Sequence, residues 1–215
     1  SDARVIVLTG ANGDFCSGAD VSGPKNAELF QGPDITAMRL VSQSVLAVNS
    51  CPIPVIAKVD GVAVGAGLGL ALAGDLLYCS DRARFGAIFA KVGMSLDFGS
   101  SWLLQRRVGL IQAKEMVFTT DMVKGPDAVA KGIANAVHPA DALDAAVDEV
   151  AARIAAGPPI ALSLSKKMLD DAATGSLAQA LEREAMAQSL NLKTHDTKEA
   201  LFAFREKRAP QFEGR

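Results

Sequence analysis

The sequence predicts an α/β fold: a largely parallel sheet followed by a helical C-terminal part. Two observations carry this. Short apolar runs, "RVIVLTG" and "VIAKV", both rich in β-branched residues, and "LLYCS", are separated by segments long enough for right-handed crossovers. After Gly99 the apolar spacing turns mainly helical.

Each element has a local cause. "RVIVLTG" reads as a buried strand ended by Gly10. Residues 11–34 are rich in Gly, Asp, Asn, Ser and Pro and read as loop, with "SGPKNAELFQGPD" expected to be mobile. Ile35, Met38, Val41, Val45 and Val48 keep helical spacing until "CPIP" removes the amides a helix needs. "VIAKV" is the second strand, "GVAVGAGLGLALAG" a glycine-rich turn entering a small-residue helix, and "LLYCS" the third strand. Pro126 suits the first turn of a short helix that Gly132 ends. Leu143, Val147, Val150 and Ile154 form one apolar stripe closed by "GPP". Ser176 with Gln179 makes a capping-box pattern, and a last helix is expected near residues 197–208.

The 215 residues are 49% hydrophobic and 21% charged, with a formal net charge of −2, the composition of a globular protein. With no polybasic run, neither nucleic acid nor an anionic membrane is an expected partner, although a few Lys and Arg side chains suffice for a phosphate. The longest uncharged apolar run, Gly61 to Gly74, is bounded by Asp60 and Asp75 and falls short of the roughly 20 residues a bilayer span needs. Cys16, Cys51 and Cys79 have neither CxxC nor metal-ligand spacing, and with an odd count and no leader in view the expected location is the reducing cytoplasm.

Two glycine-rich stretches are candidates for chemistry. In "GVAVGAGLGLALAGD", Gly65, Gly67 and Gly69 fit neither a dinucleotide fingerprint nor a phosphate-binding loop. Close helix–strand packing explains the stretch as well as a turn whose free amides face an anionic oxygen. "TGANGDFCSGAD" is by itself an ordinary turn. As a pair, the turns can aim the amides of Ala19 and Ala66 at one point, which is an oxyanion hole.

"VIVLTGANGDFCSGAD", "PVIAKVDGVAVGAGLGLALAGDLLYCSDRARFG" and "EKRAPQFEG", in this order, resemble the crotonase (enoyl-CoA hydratase/isomerase) superfamily over essentially the whole chain. The resemblance implies a crotonase-like ββα spiral core and a C-terminal helical trimerisation region, assigned here to residues 1–135 and 136–215. It implies a homotrimer or a hexamer built as a dimer of trimers. The implied substrate is an acyl-CoA whose thioester oxygen is held by Ala19 and Ala66, with coenzyme A part of the substrate and no metal or further cofactor. Ser17, Asp20, Val21, Gly65 and Phe89 are expected to line the substrate site, and Lys207 and Phe212 to meet the CoA moiety. Members commonly carry a strand pair and a helix before the "VIVLTG" strand. Those elements are absent here, so the chain is expected to be part of a longer one.

The departures from the pattern narrow the chemistry. Hydratases of the superfamily activate water with two glutamates, and Gly69 and Phe89 stand at those places. Losing one such group typically lowers a rate by about 10²–10⁴-fold. The segment "MSLDFGSSW" resembles the isomerase branch, which places an acid where Asp97 stands. There the acid removes the C2 proton of a 3-enoyl-CoA and returns it at C4, or assists isomerisation of a ring epoxide. The competing reading of Asp97 is a cap on the helix opening "FGSSW". The dehalogenase branch also uses Asp at this position, but needs a histidine in the helix before "CPIP", and "AMRLVSQSVLAV" has none. Binding of RNA is disfavoured because that helix offers only Arg39. An enoyl-CoA hydratase and an acyl-CoA-binding pseudoenzyme stay open as alternatives to the isomerase.

Overall fold

The computed structural model describes residues 2–20 and 35–215; Val21 and the stretch "SGPKNAELFQGPD" lie outside them. The chain divides into two compact units. The larger holds Val7–Cys51 and Val55–Asp148, the smaller Ser1–Ile6, Pro52–Pro54 and Glu149–Arg215. Residues 136–148, grouped by the sequence reading with the helical part, are in the larger unit. The reason is a short strand, Ala136–His138, that joins the main sheet.

The strands are β1 (Ile6–Thr9), β2 (Val55–Val59), β3 (Val62–Val64), β4 (Leu76–Ser80), β5 (Arg84–Gly86), β6 (Val123–Lys124) and β7 (Ala136–His138). They form two sheets, ordered β1-β2-β4-β7 and β3-β5-β6. From β2 onward the chain visits the first sheet, then the second, then a helix, and repeats: β2, β3, α2 (Ala66–Leu72), then β4, β5 and a 3₁₀ helix (Ile88–Val92). Pairing is parallel between β2 and β4, β4 and β7, and β3 and β5, with β6 antiparallel to β5. An isolated parallel bridge, Cys16 to Ala63, extends the second sheet by one more passage of chain.

Parallel strands covered on both faces read as continuous apolar runs, as "VIAKV" does. Ile56, Ala57, Leu77 and Phe85 are wholly buried, with Leu68 and Leu72 of α2 packed in the same core. Polar side chains close the ends of strands. The Asp75 carboxylate accepts from the Val55 amide at 2.7 Å, and the Asn135 side-chain oxygen from the Leu77 amide at 2.8 Å. Asp60 accepts from Ser80 and Arg82, and the Arg82 guanidinium holds its carboxyl down at about 2.

Helices α1 (Ile35–Asn49), α3 (Ser100–Val108), α4 (Leu110–Thr119), α5 (Gly125–Ala130) and α6 (Leu143–Ala155) complete the larger unit, with α6 running across the boundary. The apolar stripe of α6 buries Leu143 and Val147 as its spacing predicts. Strand β1 departs from expectation. It is an edge strand, and Ile6 and Val7 are exposed rather than buried.

In the smaller unit α7 (Pro159–Ala172) packs on α8 (Leu177–Asn191), followed by α9 (His195–Glu206). Ser176 and Gln179 make the reciprocal capping box. Helix α9 starts two residues earlier than expected because the Thr194 side chain accepts from the Thr197 amide, and it ends at Lys207, whose φ is 56°. The Asp196 carboxylate, 4% exposed, accepts from the amides of Glu213 and Gly214 at 2.8 and 2.9 Å and ties the tail to α9.

Candidate active site

Cys16, β3 and β5 run side by side and parallel, so the chain leaves all three at the same end of the second sheet. Ligand sites of parallel sheets form at such ends, where successive turns converge. Ala19 follows Cys16 by three residues, Ala66 follows Val64 by two, and Phe89 follows Gly86 by three. Residues separated in the sequence therefore converge for a topological reason.

The first two turns touch. A β-carbon on Gly18 would lie 3.3 Å from the Val64 carbonyl oxygen and 3.5 Å from the Ala66 nitrogen. The link between them is main chain: the Cys16 amide donates to the Val62 carbonyl at 2.9 Å, and the Val64 amide to the Cys16 carbonyl at 3.1 Å. Gly65 has φ 56° and ψ −126°, a conformation that only glycine adopts readily, and its amide donates to the Gly86 carbonyl at 3.0 Å. Among the described residues the amide hydrogens of Ala19 and Ala66 have no protein acceptor.

Asp97 enters from the segment before α3. Gly99 occupies the N-cap position with φ 71° and no side-chain cap bond. The Ser100 amide is taken by the main-chain oxygen of Asp97 at 2.9 Å, so the Asp97 carboxyl does not cap α3. Its Oδ1 is buried and has no hydrogen-bond partner among the described residues. Burial pushes the carboxyl above the ordinary aspartate value, because the charged form loses hydration. Leu96 and Phe98, on either side, pack against the core.

Helix α2 connects this segment to the turns. A β-carbon on Gly67 would lie 2.1 Å from the Cys16 carbonyl oxygen, and one on Gly69 would lie 2.2 Å from that of Phe98. Both neighbours are backbone and cannot swing aside. The Gly69–Phe98 contact is beyond the sequence, where close packing is expected of the glycine-rich stretch as a whole but no partner for Gly69 can be named. Its one sequence signal is a second glycine inside a short helix.

Of the other expected site residues, Phe89 is 6% exposed in the 3₁₀ helix, and Ser17 and Asp20 are exposed on the Ala19 loop. Lys207 and Phe212 belong to the smaller unit. Lys207 is exposed at the end of α9, and Phe212 lines a cavity of about 190 Å³ with Ile160, Thr197 and Leu201. His138 stacks on Tyr78 with ring centroids 6.3 Å apart, and the His195 amide donates to the Arg215 carbonyl. Among the described residues no three His, Cys, Asp or Glu side chains are grouped to hold a metal ion, and no helix is long and apolar enough to cross a membrane.

Comparison with known proteins matches the enoyl-CoA hydratase/isomerase family over residues 1–215. A Rhodobacter capsulatus protein named "Probable enoyl-CoA hydratase" is 36% identical over 216 residues, covering 100% of this chain and 82% of the relative. The 1,2-epoxyphenylacetyl-CoA isomerase of Escherichia coli is 32% identical over 214 residues, covering 99% and 82%. The crystal structure of an enoyl-CoA hydratase from Bacillus anthracis superposes with a TM-score of 0.91 at 31% identity, covering 99% of this chain and 82% of that one.

Proposed function

Since the chain belongs to the enoyl-CoA hydratase/isomerase family, we propose that it is an isomerase working on an acyl-CoA thioester through an enolate, with Asp97 as its proton-transfer group. The Asp97 carboxylate takes the C2 proton of a 3-enoyl-CoA. The electron pair moves into the thioester carbonyl, whose oxygen accepts hydrogen bonds from the amides of Ala19 and Ala66. Collapse of the dienolate takes the proton back at C4 and leaves a 2-enoyl-CoA, so one carboxyl serves both steps. A carboxyl raised by burial is closer to the pH of operation, which favours such shuttling. Backbone amides suit the oxyanion because they are fixed before reaction, and each such donor is typically worth about 2.7–4 kcal/mol of barrier.

The observation that carries this reading is the Asp97 carboxyl itself: half-buried, with its Oδ1 enclosed and without a hydrogen-bond partner among the described residues, and not used as a cap. The name of the Escherichia coli relative, an isomerase of a ring epoxide, is in keeping with it. A hydratase is the second reading, supported by the names of other relatives, such as the short-chain-enoyl-CoA hydratase of Clostridium acetobutylicum. It lacks the two carboxylates for water, since Gly69 and Phe89 stand in their places.

The proposal includes a trimer or a dimer of trimers, supported by exposed Leu177, Leu181, Met186, Phe202 and Phe204 on α8 and α9. It also includes a cytoplasmic setting, with which three free cysteines agree. Coenzyme A enters as part of the substrate.

The test compares a 3-enoyl-CoA with a 2-enoyl-CoA, using the native protein and Asp97→Asn. Isomerisation, little hydration, and a loss of at least about 10²-fold in the variant are expected. Fast hydration that survives the substitution would move the chemistry to another acid. Tight acyl-CoA binding without turnover would make the chain a pseudoenzyme.

A further inference from the structure

Phe98 has φ 51°, and Gly99 after it has φ 71°. Left-handed backbone is uncommon for a residue other than Gly, Asn or Asp and persists only where the surroundings impose it. At Phe98 those surroundings are α2. The Phe98 carbonyl lies so close to the bare Cα of Gly69 that a β-carbon there would stand 2.2 Å from the oxygen, 2.9 Å from the Phe98 Cβ and 3.0 Å from the Ser100 Oγ. Ser100 is wholly buried, so the segment is held from that side too. The same helix receives the Cys16 carbonyl at Gly67 and presents the Ala66 amide at its first residue. Its two bare positions thus seat two separate main-chain segments, one leading to Ala19 and the other carrying Asp97.

We infer that Gly69 is a positioning residue for Asp97: the missing side chain forms the seat that holds Phe98 in its left-handed turn and aims the neighbouring carboxyl. The inference rests on the isomerase reading above and gives Gly69 a role beyond the loss of a glutamate. A side chain at residue 69 and the present course of residues 97–99 exclude each other.

The test is Gly69→Ala, with Ile133→Val as a core control far from residue 69 in the sequence. Readouts are kcat and KM for a 3-enoyl-CoA, Kd for the unreactive butanoyl-CoA, and the acid limb of the pH–rate profile. Displacing a reacting group by about 1 Å is enough to lower a rate by about 10²-fold. For Gly69→Ala, a kcat loss of that order is expected, with Kd changed by less than about threefold and the acid limb moved towards ordinary aspartate values. Wild-type kcat and pH profile in Gly69→Ala would overturn the inference, as would losses matching those of the control.

Should Gly69→Ala fail to fold, the contact is approached from its other side. Phe98→Gly and Phe98→Val both remove the ring, but only glycine adopts the left-handed turn without strain. Phe98→Gly is expected to keep at least about ten times the kcat of Phe98→Val, and equal activities would overturn the inference. If the native protein does not isomerise a 3-enoyl-CoA, the functional reading fails alone. The positioning relation is then read by NMR titration of the Asp97 carboxyl: unaltered titration in Gly69→Ala or, if that variant is unfolded, equal titration in the two Phe98 variants would overturn it.

Discussion

Gly67 leaves no room for a side chain beside Cys16: a β-carbon at residue 67 would meet the Cys16 carbonyl oxygen at 2.1 Å and its Cβ at 2.8 Å. The contact couples α2 to the loop that carries Ala19, so the position of one proposed oxyanion donor is set relative to the helix bearing the other.

Gly67→Ala is therefore expected to move the Ala19 loop rather than Asp97. Losing one oxyanion donor corresponds to about 10²–10³-fold in rate, and a fall of that order in kcat/KM for a 3-enoyl-CoA is expected, together with a lower Tm. Steady-state kinetics and thermal melting check this. Native kinetics in a folded Gly67→Ala protein would refute the coupling.

Asp97 should make stability and activity respond to pH in opposite directions. Its folded-state value is raised by burial, so between the ordinary aspartate value and the raised one the folded protein holds the proton more firmly than the unfolded chain. Stability contributed by this group then falls as pH rises through that window, while the catalytic carboxylate forms. Asp97→Asn, which does not titrate, is expected to melt above the native protein at neutral pH, the difference shrinking as pH drops through that window and vanishing below about 4. Melting curves between acid and neutral pH decide it. A variant that is less stable at neutral pH would mean that the carboxylate has a stabilising partner.

Asp196 holds the C-terminal tail. Removing a buried acceptor of two amides typically destabilises by about 1–3 kcal/mol, and Asp196→Ala is expected to lose stability in that range. The tail carrying Phe212 should also become a better protease substrate. Trypsin cleavage after Lys207 or Arg208, compared with the native protein, reports the release. Unchanged cleavage and melting would show that the contacts of Glu199 with Arg208 and the Gln211 amide suffice without it.

Legibility followed the range of the cause. The capping box of Ser176 and Gln179, the apolar stripe of α6 and the Pro126 helix start depend on residues within one or two turns, and these appear where the spacing places them. Strands β3, β6 and β7 span only two or three residues each, too few for a periodicity, and exist because neighbours at Arg84–Gly86 and Tyr78–Ser80 pair with them. The exposure of Ile6 and Val7 is likewise a matter of sheet order, which no local pattern encodes.

The amino-acid sequence alone determined the fold class, the glycine-rich turns and an acid among apolar residues, because chain propensity and residue chemistry are local properties. Whether that acid capped a helix or stood unpaired was decided only by the tertiary structure. The answer lies in a contact between Gly69 and Phe98, 29 positions apart, where two stretches of main chain close to a separation that no β-carbon permits.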